Sequence, residues 1–430
     1  MDIYRLHQKF IECNQLISTD SRRVIKDSIF FAWKGSALDG NHFAKEAIEQ
    51  GARYAVVDNP KYAIDNRYIL VTDSIQALQK LAHYHRSQFD IPVIAIAGSN
   101  GKTTTKELAA QILSTQKDTV ASFGSENNHT GVPKTLLRIT KNTDVVVLEL
   151  GANHLGEIKE LCHIAEPTHG IITNLGRDHI GLFGSESAII EANLELYTYL
   201  KNKNGVIFVN NNNAQLLRHT EGARTVVYGT QLKNEYGIQS LSTVPYISFL
   251  WNHREISTSL TGEYNIENIN AAIAIAVECN ILFENIAQSV SNYEPIANRS
   301  EIYTAGNGNI IIKDFYNANL TSMKLALENL KKIGAQLKKE TVAIMGDMLE
   351  LGEYSLQDHQ AAVDHAKEIG ITNVILVGHE FKKTNHEEYQ VYDNVVSAAR
   401  SLDGTTINNS IILLKASNGT NFQHLFDCMK

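Results

Sequence analysis

A glycine-rich turn followed by a lysine and threonines is the clearest candidate for chemistry in this chain. It reads Gly98-Ser99-Asn100-Gly101-Lys102-Thr103-Thr104, after the apolar run 93–97 and before a helical pattern. Glycines let backbone N–H groups curl toward an anion, and a helix N-terminus adds partial positive charge. Lys102 then reaches the outer phosphates of a nucleoside triphosphate, and the Thr103 hydroxyl can hold Mg²⁺. The general phosphate-loop pattern has a glycine where Ile96 stands, so a strand–helix turn without a phosphate is the alternative.

Polar residues also follow two apolar strands of the same region. Glu149 begins the run Glu149-Leu150-Gly151-Ala152-Asn153-His154, and His179 ends the run Asn174-Leu175-Gly176-Arg177-Asp178-His179. Ligands of open α/β sheets bind beyond the carboxyl ends of the strands, so Glu149 is placed to hold Mg²⁺ near the phosphates. His179 is a candidate metal ligand or phosphate contact, with a structural histidine as the alternative. The polar turn Asn127-Asn128-His129-Thr130-Gly131-Val132-Pro133 precedes a helix and offers amide donors to an anionic substrate.

A second set of polar groups lies in the last third of the chain. Asn298-Arg299-Ser300 puts a guanidinium at a domain boundary, and Asp314-Phe315-Tyr316-Asn317-Ala318-Asn319 follows a predicted strand. Gly346-Asp347-Met348-Leu349-Glu350-Leu351-Gly352 follows the next strand. Each could be ordinary turn chemistry. Together they predict a polar rim on a second sheet that faces the nucleotide site. Two α/β domains that close on ATP would exclude water from an acyl-phosphate intermediate, as a ligase requires.

The elements that position these groups divide into three predicted domains, at residues 1–91, 92–297 and 298–430. We expect an α/β fold with a small α/β N-terminal domain, a central P-loop mononucleotide-binding α/β domain and a C-terminal Rossmann-like α/β domain. The first segment mixes short strands and helices, one of them capped by Ser74. Continuous apolar runs in the other two are typical of parallel sheets covered on both faces; they include Val145–Leu150, Gly170–Thr173, Val206–Val209, Ile310–Ile312, Val342–Met345, Val374–Val377 and Ile411–Leu414.

Composition narrows the class of protein. The 430 residues are 43% hydrophobic and 20% charged, with a net charge of −8 and no long Lys/Arg cluster, which argues against nucleic-acid or anionic-membrane binding. No apolar run approaches the ~18 residues of a membrane span, and the N-terminus lacks the apolar core of a signal peptide. Four scattered cysteines fit reduced thiols. We therefore expect a cytoplasmic protein without membrane insertion. We also expect a monomer, although the composition does not decide the oligomeric state.

Taken together, these motifs resemble the Mur ligase family over essentially the whole chain. The segments Thr19–Arg22, Phe30–Gly35 and Asp39–Phe43 resemble the family's UDP-binding N-terminal domain. Gly98–Thr104 matches its short phosphate loop, and Tyr264–Asn268 resembles the segment near the adenine. The most discriminating motifs are Asp314–Asn319 and Gly346–Gly352, which resemble the branch that adds D-alanyl-D-alanine rather than a single amino acid.

The resemblance implies an activity and a set of residue roles. ATP would phosphorylate the terminal carboxylate of UDP-N-acetylmuramoyl-tripeptide, and the amine of D-alanyl-D-alanine would attack the acyl phosphate. Catalytic roles would fall to Lys102, His179 and Arg299, and Mg²⁺ to Thr103, Glu149 and His179. ATP would contact Gly98, Ser99, Asn100, Gly101, Lys102, Thr103, Thr104, Asn268, Arg299 and Asp314. The substrates would contact Ser21, Arg22, Lys34, Gly35, Asn127, Asn128, Tyr316, Asn317, Asn319 and Lys415.

Departures from the family pattern occur at the expected reaction centre. The family's carbamylated lysine is Asn193, its glutamate after His-Leu is Gly181, and an arginine near the C-terminus is Asn418. A neighbouring carboxylate such as Glu191 could substitute for the carbamate. Two other functions stay open: a divergent or catalytically impaired homologue that binds nucleotide or precursor, and another ATP-dependent amide ligase.

Overall fold

The computed structural model describes residues 2–35, 38–386, 389–402 and 407–430. Its first sheet has four parallel strands in the order β1-β2-β3-β4. The strands are β1 (Ile17–Ser18), β2 (Ile29–Phe31), β3 (Tyr54–Val57) and β4 (Tyr68–Leu70), and the helices are α1 (Ile3–Glu12), α2 (Ala44–Glu49) and α3 (Ser74–Arg86). Three short 3₁₀ turns cover Ser21–Arg23, Gly40–Phe43 and Pro60–Tyr62.

The predicted cap of α3 is wrong by one residue. Asp73 is the N-cap, because its carboxylate accepts a hydrogen bond from the backbone N–H of Gln76 at 2.8 Å. Ser74 is the first helical residue and is buried. Aspartate and serine both favour N-caps, so residue type does not distinguish these two adjacent positions.

The central sheet has six parallel strands in the order β10-β9-β8-β5-β7-β6. Alternate residues of its middle strand enter different cores: Val93, Ala95 and Ala97 on one face, Ile94 and Ile96 on the other. This explains the continuous apolar runs of the sequence. The strands are β5 (Val93–Ala97), β6 (Thr119–Ala121), β7 (Val145–Glu149), β8 (His169–Ile172), β9 (Val206–Asn210) and β10 (Arg224–Tyr228).

Helices cover both faces of this sheet, and a small antiparallel sheet lies beside it in the order β11-β12-β13. Its strands are β11 (Gln239–Ser242), β12 (Ser248–Trp251) and β13 (Arg254–Ser257). The helices are α4 (Lys102–Leu113), α5 (Gly131–Leu136), α6 (Glu157–Ala165), α7 (Ile180–Phe183), α8 (Glu186–Asn202), α9 (Ala214–Arg218), α10 (Tyr264–Glu278) and α11 (Phe283–Ser291).

The last sheet has the order β14-β15-β19-β16-β17-β18, and only its edge strand β14 pairs antiparallel. Its strands are β14 (Glu301–Thr304), β15 (Ile310–Asp314), β16 (Glu340–Gly346), β17 (Asn373–Val377), β18 (Gln390–Tyr392) and β19 (Ser410–Lys415). The helices are α12 (Leu320–Leu337), α13 (Ser355–Glu368), α14 (His379–Lys382), α15 (Val395–Leu402) and α16 (Phe422–Met429), with 3₁₀ turns at Gly352–Tyr354 and Asn418–Thr420.

Apolar contacts join the three regions. Leu78 and Leu81 of α3 share a core with Val132 and Leu136 of α5. Ile180 and Ile189, next to the central sheet, belong to the same core as Met345 of β16 in the last sheet. Within the described ranges, no helix is long and apolar enough to cross a membrane. The predicted three-part α/β fold is confirmed.

Candidate active site

A cavity of about 890 Å³ lies where the three regions meet. The phosphate-loop turn, the ends of β7 and β8 and the start of α10 form one side. The other side carries residues before α12 and after β16 and β19. Residues from both sides that were predicted for the site and line this cavity are Gly98, Ser99, Asn100, Gly101, Lys102, Thr103, Thr104, Asn127, Asn128, Glu149, His179, Asn268, Arg299, Asp314, Tyr316, Asn317 and Lys415.

The turn between β5 and α4 depends on two glycines with positive φ. Gly98 has φ +119°, and a Cβ there would lie 2.8 Å from the backbone N of Thr173. Gly101 has φ +82°, and a Cβ there would lie 2.9 Å from Cγ of Asn268. Two hydrogen bonds to Asn174 then fix the turn to the end of β8. The N–H of Ser99 donates to the Asn174 carbonyl at 3.0 Å, and the N–H of Asn100 donates to Oδ1 of the Asn174 side chain at 3.1 Å.

Lys102 folds back onto its own loop. Its ammonium donates to the carbonyl oxygens of Gly98 and Ser99, the second at 3.0 Å, and lies 3.6 Å from Oδ2 of Asp178. Asp178 is buried, and its other oxygen has no hydrogen-bond partner within the described residues. Sequence reasoning gave Asp178 no role, although it stands beside His179 in a motif that it singled out. A bound phosphate would compete with these oxygens for Lys102.

Glu149 and Thr103 form the candidate metal site. Glu149 is 2% exposed; its Oε2 accepts from the Thr103 hydroxyl and its Oε1 from Nδ2 of Asn127, both at 2.8 Å. In the part of the chain that the structure describes, no cluster of three or more His, Cys, Asp or Glu side chains could hold a metal alone. Mg²⁺ is usually held by one or two carboxylates together with substrate phosphates and water, so these residues fit Mg²⁺ that arrives with a nucleotide.

Two cationic side chains lie on the opposite side of the cavity. The Arg299 guanidinium carbon is 3.8 Å from the ring centroid of Tyr316, whose hydroxyl is 2.5 Å from Oγ of Ser125 on the central side. Lys415 is buried; its Nζ lies 3.0 Å from Oδ2 of Asp314 and donates to the carbonyl of Asn317 at 2.6 Å. Stacking on a ring holds a guanidinium in place without neutralising it, so Arg299 remains available to an anion.

Asn319 and Tyr264 provide further links across the cavity. Asn319 caps α12, and its Nδ2 donates to Oδ1 of Asn100 in the phosphate loop at 3.0 Å. The Tyr264 hydroxyl is 2.6 Å from Oγ of Ser300, and burial raises the pKa of Tyr264. Both contacts join the central region to the last third of the chain, and the first of them starts from the phosphate loop.

Some predicted residues lie elsewhere or have a structural contact. Ser21, Arg22, Lys34, Gly35 and Asn319 are not among the residues that line this cavity. Arg22 is exposed and pairs with its neighbour Asp20. Asn128 lines it, but its Oδ1 accepts from the N–H of Gly131 at 2.9 Å and so supports the start of α5.

The carboxylates near Asn193 also differ from expectation. Asn193 lines the cavity and is 7% exposed, and its Nδ2 donates to the carbonyl of Ile189 at 2.8 Å. Glu191, two positions before Asn193 on α8, is exposed and does not line the cavity. Glu157 and Glu160 of α6 do line it.

The N-terminal region contributes a face that sequence reasoning missed. Asp73, Ile75, Gln76 and Gln79, all at or near the start of α3, line the cavity. Their spacing places them on one helix face, which is a usable signal, but it resembles the solvent-facing side of any amphipathic helix.

Comparisons with known proteins match this architecture. Three family models fit the chain: "Mur ligase family, catalytic domain" over residues 15–86, "Mur ligase middle domain" over 96–276, and "Mur ligase, glutamate ligase domain" over 298–418. A crystal structure of MurF from Acinetobacter baumannii superposes with a TM-score of 0.85 at 28% identity, covering 96% of this chain and 93% of that one. MurF of Thermotoga maritima, solved with ADP, gives 0.84 at 22% identity over 97% of both chains and supports the fold.

Two relatives carry the same name. The UDP-N-acetylmuramoyl-tripeptide–D-alanyl-D-alanine ligase of Bacillus subtilis is 30% identical over 422 residues, which is 95% of this chain and 92% of that ligase. The enzyme of that name from Synechocystis is 33% identical over 413 residues, or 94% and 89% of the two chains. With matches along its whole length and a cavity where its three parts meet, this chain belongs to the Mur ligase family.

Proposed function

We propose that this chain is an ATP-dependent, ADP-forming ligase of peptidoglycan precursor synthesis. It joins D-alanyl-D-alanine to the terminal carboxylate of UDP-N-acetylmuramoyl-tripeptide. The observation that carries the proposal is the shared cavity: Lys102 and Glu149 line it from the central region, and Arg299 and Asp314 from the last third. The names of the two relatives that span the chain support the choice of substrates.

The chemistry is a phosphoryl transfer followed by an acyl transfer. The tripeptide carboxylate attacks the γ-phosphorus of ATP, so that ADP leaves and an acyl phosphate forms. The D-alanyl-D-alanine amine attacks the acyl carbon, and the tetrahedral intermediate collapses with loss of inorganic phosphate and a proton. The protein's contribution is positioning and stabilisation of developing charge.

On this proposal, each side of the cavity has its own task. Lys102 and Arg299 neutralise phosphoryl charge from opposite sides, and Asn268 and Asp314 hold the adenosine. Thr103, Glu149 and His179 would hold Mg²⁺, which supplies charge neutralisation at the phosphates when it is bound. The remaining proposed substrate contacts at the cavity are Asn127, Asn128, Tyr316, Asn317 and Lys415, with Asn319 beside the phosphate loop. Ser21, Arg22, Lys34 and Gly35 are proposed to contact the uridine nucleotide.

The same proposal includes the domain boundaries 1–91, 92–297 and 298–430, the cytoplasmic location and the monomeric state.

An impaired homologue is the second candidate, and a specific observation favours it. Asn193 is at the cavity wall and carries no charge. Glu191 is exposed and does not line the cavity, so it does not replace the missing negative group there.

The test is ADP and phosphate release by the full-length protein with ATP, Mg²⁺ and UDP-N-acetylmuramoyl-tripeptide, with and without D-alanyl-D-alanine. We expect phosphate release that needs both substrates, and a product heavier by one dipeptide less one water. Phosphate release with D-alanine or an L-amino acid in place of D-alanyl-D-alanine would favour another amide ligase. Nucleotide binding without any release would favour the impaired homologue.

A further inference from the structure

A carboxylate from the last third of the chain contacts His179 across the interface between two regions. Nδ1 of His179 is hydrogen-bonded to Oε2 of Glu350, although 171 positions separate the two residues. The backbone makes the same connection, since the N–H of Gly181 donates to the carbonyl of Glu350 at 3.1 Å. Both side chains line the main cavity. The contact is therefore part of the cavity wall.

The glycine at position 181 is needed for this contact. A Cβ there would lie 2.5 Å from the carbonyl carbon of Leu351 and 2.7 Å from the carbonyl oxygen of Glu350. Any larger residue would push the segment Glu350–Gly352 away and withdraw the carboxylate from His179. Ile180, beside this glycine, is buried in the core that contains Met348, so packing holds the two segments together.

Stability alone does not explain the pair. The Glu350 side chain is 51% exposed and that of His179 27%, and ion pairs at such sites contribute little to folding. Both residues also have positive φ, +51° for His179 and +64° for Glu350, a conformation that costs free energy in non-glycine residues and concentrates at functional sites.

We infer that Glu350 is a positioning residue that orients His179 for a divalent cation from across the interface between the two regions. A carboxylate accepts a hydrogen bond from Nδ1–H, which fixes the tautomer and leaves the Nε2 lone pair for a ligand. No described residue hydrogen-bonds to Nε2 in the structure. The last third of the chain would thus support the cation site as well as form part of the cavity wall. This inference rests on the proposed role of His179.

The experiment measures Mn²⁺ binding by electron paramagnetic resonance, with the full-length protein and the non-hydrolysable ATP analogue AMP-PNP. Replacing an outer carboxylate typically costs 10–100-fold in metal affinity, and we expect a loss of that order for Glu350→Ala. Gly181→Ala should weaken Mn²⁺ binding in the same direction. The matched control is Tyr354→Phe, which removes a 2.9 Å hydrogen bond to the carbonyl of Gly184 in the same interface without touching His179; its Mn²⁺ affinity should equal that of the wild type.

Three results would overturn the inference: no Mn²⁺ binding by the wild type, unchanged affinity in Glu350→Ala, or equal losses in Glu350→Ala and Tyr354→Phe. The last would make Glu350 a general interface contact. The proposed function fails separately. Glu350→Ala could lose Mn²⁺ affinity while Tyr354→Phe does not, and the wild type could still release no phosphate with UDP-N-acetylmuramoyl-tripeptide and D-alanyl-D-alanine. In that case the positioning role stands and the ligase assignment does not.

Discussion

Substitution of Gly101 by alanine tests how the phosphate loop is built. At φ +82° an alanine is strained by about 1–2 kcal/mol. Its Cβ would also lie 2.9 Å from Cγ of Asn268, a buried side chain that accepts a 3.3 Å hydrogen bond from Thr105. Displacing Asn268 would cost roughly a further 1 kcal/mol for that bond. We expect Gly101→Ala to lower the free energy of unfolding by about 2–3 kcal/mol.

Gly222 is a matched control for the backbone contribution. Its φ is +74°, and a Cβ there would meet no atom within 4 Å, so Gly222→Ala should cost only the conformational strain. Urea unfolding of both variants gives their free energies of unfolding, provided that the dependence on urea concentration keeps the same slope. The difference between the two losses is the steric cost at Gly101. In an Asn268→Ala background, Gly101→Ala should cost only the conformational strain, because the clash and the Thr105 hydrogen bond are both already absent. Equal destabilisation by Gly101→Ala and Gly222→Ala would refute the claim that Asn268 fills this space.

Three further predictions concern Lys102, two buried histidines and Asn193. Lys102→Ala should reduce phosphate release 10²–10³-fold, about 3–4 kcal/mol of transition-state stabilisation, with a nearly unchanged far-ultraviolet circular dichroism spectrum; near-wild-type turnover would contradict its role. Burial lowers the pKa of His85 and of His359 below the usual 6.5, so the folded state binds fewer protons than the unfolded state. The urea midpoint should therefore fall as the pH drops from 7.5 to 5.5. A flat or rising midpoint would show that these rings do not stay neutral. Asn193→Lys should make the Mg²⁺ dependence of activity sensitive to bicarbonate, because a carbamate would add negative charge at the cavity wall. An unchanged Mg²⁺ titration, bicarbonate response and melting temperature would place this position outside the metal site.

Local signals in the sequence predicted much of the framework. The turn Gly98–Thr104 between an apolar strand and a helix was predicted with its strand and helix in place, because glycine conformation and hydrophobic periodicity act over a few residues. The buried strands of the two large sheets were predicted for the same reason. The cap of α3 shows the limit of such signals, since Asp73 and Ser74 are equally suited to it.

The sequence by itself determined the three-part α/β fold, the phosphate loop and the strand ends where polar groups gather. Only the tertiary structure decided which of these groups meet. Asn319 reaches Asn100 across 219 positions and Glu350 reaches His179 across 171. The N-terminal face of α3 enters the cavity, whereas Ser21 and Lys34 do not line it. The reason is physical: backbone preference and hydrophobic pattern are local properties, but contacts between domains depend on how whole apolar surfaces pack against each other.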